Sequence, residues 1–331
     1  MLRRLLPSLS AAVGFALMAL LIHRLAPLRV PEVTPKLAYL QAHPEDFDTL
    51  FIGSSRIYHG VSPRAFDAAM AADGTPAHSF NLAINGMMPP ESLHMARTVL
   101  AMQLPRLRRI FLEVASARGS LASDSPTVRD VYWQDPATLI SSWRRAAQDY
   151  HALQQKHRQA KAWDDITRSA ALFSRNQLNI GRLIPTPDFA ANPPDKSPAV
   201  ILGPDGDGYQ PAKHPLTDAD LQKLEDGIQA IRNRTVKPDP RDPLNQDAYA
   251  RIQALAASHG IALILVMAPV TTRDYHASQD APPGARLLAF DDPDRYPELY
   301  LPAHRVDFDH LNDAGARIFS AALADAYLSE K

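Results

Sequence analysis

A chain of 331 residues with 35 lysines and arginines against 36 aspartates and glutamates has a formal charge of -1. No general attraction to nucleic acid is expected, and any polyanion site must be local. Cysteine is absent, which excludes a disulfide framework, a thiolate nucleophile and a cysteine-ligated metal. The 29 prolines gather between elements, as at Pro193-Pro194 and Pro282-Pro283, and point to long ordered loops in a chain large enough for one sizeable domain or two modest ones.

Residues 5–22 carry no charge and would reach about 27 Å as a helix rising about 1.5 Å per residue, close to the hydrocarbon thickness of a bilayer. Arg3 and Arg4 precede this run, and the positive-inside tendency then holds the N-terminus in the cytoplasm and exports the body. The run passes straight into His23-Arg24 without a small-x-small cleavage site. Residues 1–27 are therefore expected to be an uncleaved transmembrane signal anchor, with a cleaved signal peptide and a buried soluble helix as rivals. Pro27, Pro31 and Pro35 suggest a stiff stalk over 28–44, and the body is expected over 45–331.

In that body, Asp48-Thr49-Leu50-Phe51-Ile52 reads as a buried strand ending at Gly53, and Pro63 opens a helix with Phe66 and Met70 on one face. Ser79-Phe80-Asn81-Leu82-Ala83 is a second strand stopped by Asn85-Gly86. Pro89 and Pro90 then suit a first helical turn ahead of Leu93, Ala96, Val99 and Leu100. A third strand runs Arg109-Ile110-Phe111-Leu112-Glu113-Val114. Strands that alternate with helices predict an α/β fold, a doubly wound parallel sheet covered on both faces.

From about 117 to 242 the alternation lapses, and a helical and loop insertion is expected. Trp143, Tyr150 and Leu153 suggest one long helix bearing Arg144, Arg145, Lys156, Arg158 and Lys161, which reads as a solvated face or a hold for an anionic or sugar polymer. Thr217 with Asp220 starts another helix. Tyr249, Ile252 and Leu255 belong to a helix closed by Gly260, Ile261 to Val266 is a strand, and a last helix carries Ile318, Phe319, Leu323 and Tyr327.

Two segments could carry chemistry. Gly53-Ser54-Ser55 lies just past a strand end, where ligands gather in open α/β sheets; Ser55 would be a nucleophile or merely part of a helix cap. Asp307 and His310 lie three apart, so one turn of chain can set a carboxylate beside an imidazole. A serine hydroxyl needs such a pair to take its proton and to fix the ring tautomer. Asp309 competes for the role of acid, and His304, Asp307, Asp309 and His310 could alternatively hold a metal. Around Asn85-Gly86, a backbone N–H could join that of Ser55 in an oxyanion hole, with the Asn85 amide as a further donor; a simple turn is the alternative. Asp205-Gly206-Asp207-Gly208 resembles the start of a calcium loop but lacks the closing Glu, and Glu113 has no evident role.

These segments, with Asn81-Leu82-Ala83-Ile84-Asn85-Gly86 between them, occur in the order found in the SGNH (GDSL-like) hydrolase superfamily, and the chain resembles its membrane-anchored extracytoplasmic branch. That branch includes the D-alanyl-transfer protein of teichoic-acid modification and the alginate O-acetylation proteins. The resemblance covers 45–116 and 245–328 and implies a flavodoxin-like SGNH-type sheet. It also implies Ser55 as nucleophile, Asp307 and His310 as the rest of the triad, and Gly86 as an oxyanion donor. It departs from the family in having no Gly-x-Asn-Asp block after the third strand, where this chain reads Leu112-Glu113-Val114-Ala115-Ser116. The resulting expectation is a single-pass protein of the cell inner membrane with a periplasmic domain. It would move or remove an O-acyl group, chiefly O-acetyl, on an exported polysaccharide or other glycan, through an acyl-Ser55 intermediate. No cofactor, metal or nucleic acid would be involved. The alternative is a degenerate scaffold that binds glycan or a membrane-bound O-acyltransferase partner and catalyses nothing.

Overall fold

The computed structural model describes residues 2–25, 27–115, 127–152, 156–179, 197–233, 235, 243–271 and 280–329. Its centre is a five-stranded, all-parallel sheet of β1 (Thr49–Ile52), β2 (Ser79–Asn81), β3 (Arg109–Glu113), β4 (Ala262–Met267) and β5 (Arg286–Ala289), in the order β2-β1-β3-β4-β5. This order is compatible with a flavodoxin-like arrangement, and it reverses direction between β1 and β3. Thr49 pairs with Ser79 on one side and Arg109 on the other, so the exits of β1 and β3 lie side by side. β5 has no counterpart among the strands read from the sequence.

The apolar runs make this sheet because a parallel strand is covered on both faces and alternates its side chains between them. Phe51, Phe111, Ile264, Val266 and Leu288 form one buried cluster with Phe66 and Met70 of a helix over Pro63–Ala72 and with Phe319 and Leu323 of another over Asp313–Ser329. Leu50, Ile52, Ile110, Leu112 and Leu265, all fully buried, take the opposite parity. On that other face, helices over Pro89–Ala101 and Pro243–Ser258 pack on each other and on the sheet.

In chain order the helices are α1 (Leu2–Leu25), α2 (Thr34–Ala42), α3 (Ser55–Tyr58), α4 (Pro63–Ala72), α5 (Pro89–Ala101), α6 (Val128–Tyr132), α7 (Pro136–Ala152), α8 (Lys156–Gln177), α9 (Pro198–Leu202), α10 (Asp218–Arg232), α11 (Pro243–Ser258) and α12 (Asp313–Ser329). They divide between two compact units, Met1–Pro31 with Gly119–Asp195, and Glu32–Arg118 with Lys196–Lys331. Of the segment expected as one insertion, residues 119–195 thus group with the N-terminus and the rest with the sheet. The expected capping at Thr217 is present: its hydroxyl accepts the Asp220 N–H at 3.2 Å, and the Asp220 carboxylate accepts the Thr217 N–H in return.

Two expectations are corrected. The stalk over 28–44 contains α2, because Pro35 sits in the first helical turn, where its missing N–H costs nothing, and Val33 and Leu40 are fully buried. The single long helix expected around Trp143 is two packed helices, α7 and α8, with residues 153–155 between them outside the described residues; the Trp143 indole N–H donates to the Ile166 carbonyl at 3.3 Å across the pair. Tyr150, Lys156 and Arg158 fall at the helix ends beside that gap, and their side chains too lie outside the described residues.

Lys36 of α2 is fully buried, and its ammonium donates to the carbonyls of Asn81, Ala83 and Gly208 at 2.9, 2.7 and 2.8 Å, 4.0 Å from the centre of the Tyr58 ring. Burial pulls its pKa well below the ordinary lysine range, opposed by the Asp207 charge. Carbonyls only accept, and three of them match the three N–H groups of the charged form, so we take Lys36 as an ammonium clamp. Lys36→Met should lower unfolding free energy by on the order of 3 kcal/mol, read as a reduced urea midpoint, because three buried carbonyls lose their donor. An unchanged midpoint would show that the clamp is not structural.

Candidate active site

At the exit of β1 the chain must turn sharply beside β3. A Cβ on Gly53 would lie 2.6 Å from Ile57 Cγ1 and 2.7 Å from Glu113 Cβ, so only glycine fits there. Ser54 caps α3, its hydroxyl accepting the Arg56 N–H at 3.3 Å. The Glu113 carboxylate, 3% exposed at the end of β3, accepts the Ser54 N–H, the Ser54 hydroxyl at 3.1 Å and Arg56 Nε at 2.8 Å. The turn that presents Ser55 is therefore tied to the neighbouring strand by a buried ion pair, at the point where the strand order reverses. Arg56 Nη1 also lies 3.8 Å from Asp309 Oδ2.

The partner segment is held by Arg305, which is 2% exposed and donates to the carbonyls of Leu299, Phe308 and Pro269, each at 2.9 Å. The loop leading into α12 is fixed in this way. Asn312 caps that helix by accepting the Gly315 N–H at 3.0 Å. Within the loop, Asp307 Oδ1 accepts the backbone N–H groups of Asp309 and His310, both at 2.7 Å. The two Asp307 oxygens stand 3.0 and 2.9 Å from His310 Nδ1, and His310 Nε2 stands 2.7 Å from Ser55 Oγ. A carboxylate can only accept, so Nδ1 carries the hydrogen and Nε2 is left to accept the Ser55 hydroxyl. Ser55, His310 and Asp307 thus meet in one hydrogen-bonded chain.

Asp307 stays ionised in this setting. Burial pushes its pKa up, but the hydrogen bond and charge of His310 and the two backbone N–H groups outweigh burial and hold it at about 2. The sign follows: the folded state holds the carboxylate while the unfolded chain takes up a proton below its ordinary value near ~3.9. The stabilisation is complete above that value and disappears as pH falls toward about 2. Acid unfolding followed by circular dichroism should show this slope between about pH 4 and pH 2, and Asp307→Asn should flatten it. A variant with the wild-type slope would assign the titration to other groups.

The loop after β2 runs beside the same turn, with the Ile84 N–H donating to the Gly53 carbonyl at 3.0 Å. Gly86 has a φ of +63°, a conformation costly for other residues. Among the described residues, neither the Ser55 nor the Gly86 N–H has an acceptor within the chain. Asn85 Oδ1 lies 2.9 Å from His59 Nε2, while His59 Nδ1–H donates to the Gln210 carbonyl at 2.6 Å. Burial lowers the His59 pKa, helped by His310, whose ring centre is 6.2 Å away, and by Lys36; the Gln210 and Asn85 hydrogen bonds oppose it. Asn85 therefore contacts the α3 turn through His59.

Sequence reading paired Ser55, His310 and Asp307 and missed the residues that hold them. Glu113 appeared without a role, and Arg56, His59 and Arg305 went unnoticed; a charge inside or beside a buried apolar strand was the available signal for Glu113. Asp309 is not bonded to the His310 ring but lies toward Arg56. No group of three or more metal-ligating side chains occurs among the described residues, so the set of His304, Asp307, Asp309 and His310 does not assemble there; His304 Nδ1 is 2.6 Å from the Glu298 carbonyl instead. Residues 205–208 form a turn whose carbonyls at Asp207 and Gly208 receive the Asn81 N–H and Lys36. Comparison of the chain with family models, curated proteins and solved structures finds no match.

Proposed function

We propose that this chain is a serine acyltransferase or esterase of the SGNH type. The contact that carries the reading is that of His310 Nε2 with Ser55 Oγ at 2.7 Å, backed by the ionised Asp307 on the other ring nitrogen. In the reaction His310 takes the Ser55 proton as Oγ attacks the acyl carbonyl, and Asp307 stabilises the imidazolium. The tetrahedral oxyanion is held by the Ser55 and Gly86 N–H groups, both unengaged among the described residues. Collapse expels the alkoxide, which takes the proton from His310, and leaves an acyl-Ser55 ester. A sugar hydroxyl or water, deprotonated by His310, then attacks that ester and restores the serine. Where the resemblance leads one to expect a Gly-x-Asn-Asp block, this chain has Glu113, which positions the nucleophile turn rather than donating to the oxyanion.

The acceptor in this reading is an exported glycan carrying O-acyl, chiefly O-acetyl, groups, and the chain is tethered to the membrane through α1. Among the described residues no helix is long and apolar enough to cross a membrane. What supports the tether is the uncharged run over 5–22, together with the exposure in α1 of Val13, Phe15, Leu17, Met18, Leu20, Leu21 and Leu25, each about half exposed or more. A periplasmic domain with a membrane-bound acyltransferase as partner belongs to the same proposal.

A fluorophosphonate probe tests the chemistry. Stoichiometric labelling of the full chain at Ser55 is expected, whereas folded protein that stays unlabelled would favour the glycan-binding scaffold. Oligosaccharide that competes with acetate release would mark a transferase over an esterase.

A further inference from the structure

A cavity of about 610 Å³, within the range of small-ligand sites, opens between α4, the loop over 204–213 and the start of α12. Its charged lining consists of Arg64, Asp205, Lys213, Asp313 and Arg317, with Tyr209 beside them, and alanine, proline and one serine complete the wall. Each carboxylate in this set already has a cationic partner. Asp313 accepts the Tyr209 hydroxyl at 3.0 Å and Arg317 Nε and Nη2 at 3.1 and 2.9 Å, and Asp205 lies 3.5 Å from Arg64. The donors are in surplus. Lys213 makes no ion pair or hydrogen bond among the described residues, and Arg64 and Arg317, 79% and 70% exposed, keep guanidinium N–H groups beyond those pairs. Three cations thus face two occupied carboxylates. The group that completes such a wall is rich in acceptors and negatively charged.

Short stretches of chain join each wall of the cavity to the Ser55 site. Lys213 adjoins His214, whose Nε2 is 3.7 Å from Asp307 Oδ2, and the same loop receives His59 through the Gln210 carbonyl. Asp313 follows His310 by a span of no more than about 11 Å of chain. Arg64 stands in the first turn of α4, five residues after His59. A ligand in the cavity can therefore belong to a molecule that reaches the serine.

We propose that this cavity is a subsite for an oxyanion, a carboxylate or phosphate borne by the acyl acceptor, held by Lys213, Arg64 and Arg317 while the reacting hydroxyl lies at Ser55. The inference rests on the acyl-transfer reading for its link to catalysis, but binding can be measured without turnover. Full-length Ser55→Ala protein in detergent is titrated by calorimetry with oligogalacturonate, with a phosphorylated manno-oligosaccharide and with a neutral malto-oligosaccharide. At least one anionic ligand should bind about tenfold or more tighter than the neutral one and weaken as salt is raised. Which anion wins identifies the carboxylate or the phosphate as the natural group.

Lys213→Glu combined with Arg64→Glu should remove about tenfold or more of that affinity, and Lys213→Gln a smaller part, with melting temperature as the check on folding. Equal binding of neutral and anionic sugars, no binding of any, or no effect of charge reversal in a folded variant would each overturn the subsite. Fluorophosphonate labelling of the wild type reads the catalytic assignment separately: salt-sensitive anion binding without labelling keeps the subsite and removes the enzyme.

Discussion

Ser55→Ala is expected to abolish fluorophosphonate labelling and to reduce ester turnover by at least about 10³-fold, because in the proposed reaction the hydroxyl is the atom that forms the covalent ester. His310→Ala should cost about as much, since an unassisted serine hydroxyl is a poor nucleophile, and the double variant should be little worse than either single one. That non-additivity is the diagnostic readout: groups that act as a unit lose their joint effect once, whereas independent binding residues lose theirs in sum. Asp307→Asn should preserve the packing of the loop but supply the wrong hydrogen-bonding partner to Nδ1, with a loss approaching about 10⁴-fold in kcat and a smaller change in KM. Turnover of an activated acetyl ester by the purified full chain measures all four. Retention of wild-type turnover in Ser55→Ala would end the nucleophile assignment.

Glu113→Ala carries the largest expected effect on stability. With its carboxylate gone, Arg56, only 9% exposed, and the Ser54 N–H are left in a buried site without the acceptor they share. Breaking one side of a buried pair costs about 3–5 kcal/mol, more than an exposed pair would. A melting temperature lowered by several degrees is the readout. Glu113→Gln separates positioning from bulk stability. It keeps the volume and an acceptor oxygen for Ser54 but no charge for Arg56, so folding should recover in part while kcat remains depressed at nearly unchanged KM. A variant restored in kcat as well as in stability would make Glu113 purely structural. Gly53→Ala should resemble Glu113→Ala, because its methyl would displace the same carboxylate.

The proposed reacting groups were readable because each is announced by local pattern. A strand ending in Gly-Ser-Ser, a carboxylate three residues before a histidine, and a Thr217 to Asp220 capping box are all short-range features, and the structure has the strand exit, the contact and the cap where those patterns stand. The supporting groups were not, because their partners are remote in sequence and are mostly backbone carbonyls. Lys36 meets Gly208, and Arg305 meets Pro269, and nothing in the local composition marks either cation as buried. Helices α7 and α8 show the same limit in another form. Their buried residues include Ser141, Ser142, Ala146, Ala162 and Ser169, while Trp143 and Trp163 are exposed, so the packed faces carry small residues that give hydrophobic periodicity little to read. Prolines misled once: Pro35 starts a helix and does not stiffen a tether.

The chain leaves the sheet at Glu113 and returns at Ala262, and within that span the loop over 209–214 borders the Ser55 turn, through the Gln210 carbonyl beside His59 and His214 beside Asp307. A change of side chains in that loop alters what surrounds the serine and touches no strand pairing. On the proposed reading, choice of acceptor and bond-making machinery are then separable inheritances. On the same proposed reading, exchanging that loop alone is the direct route to a new acceptor preference at Ser55.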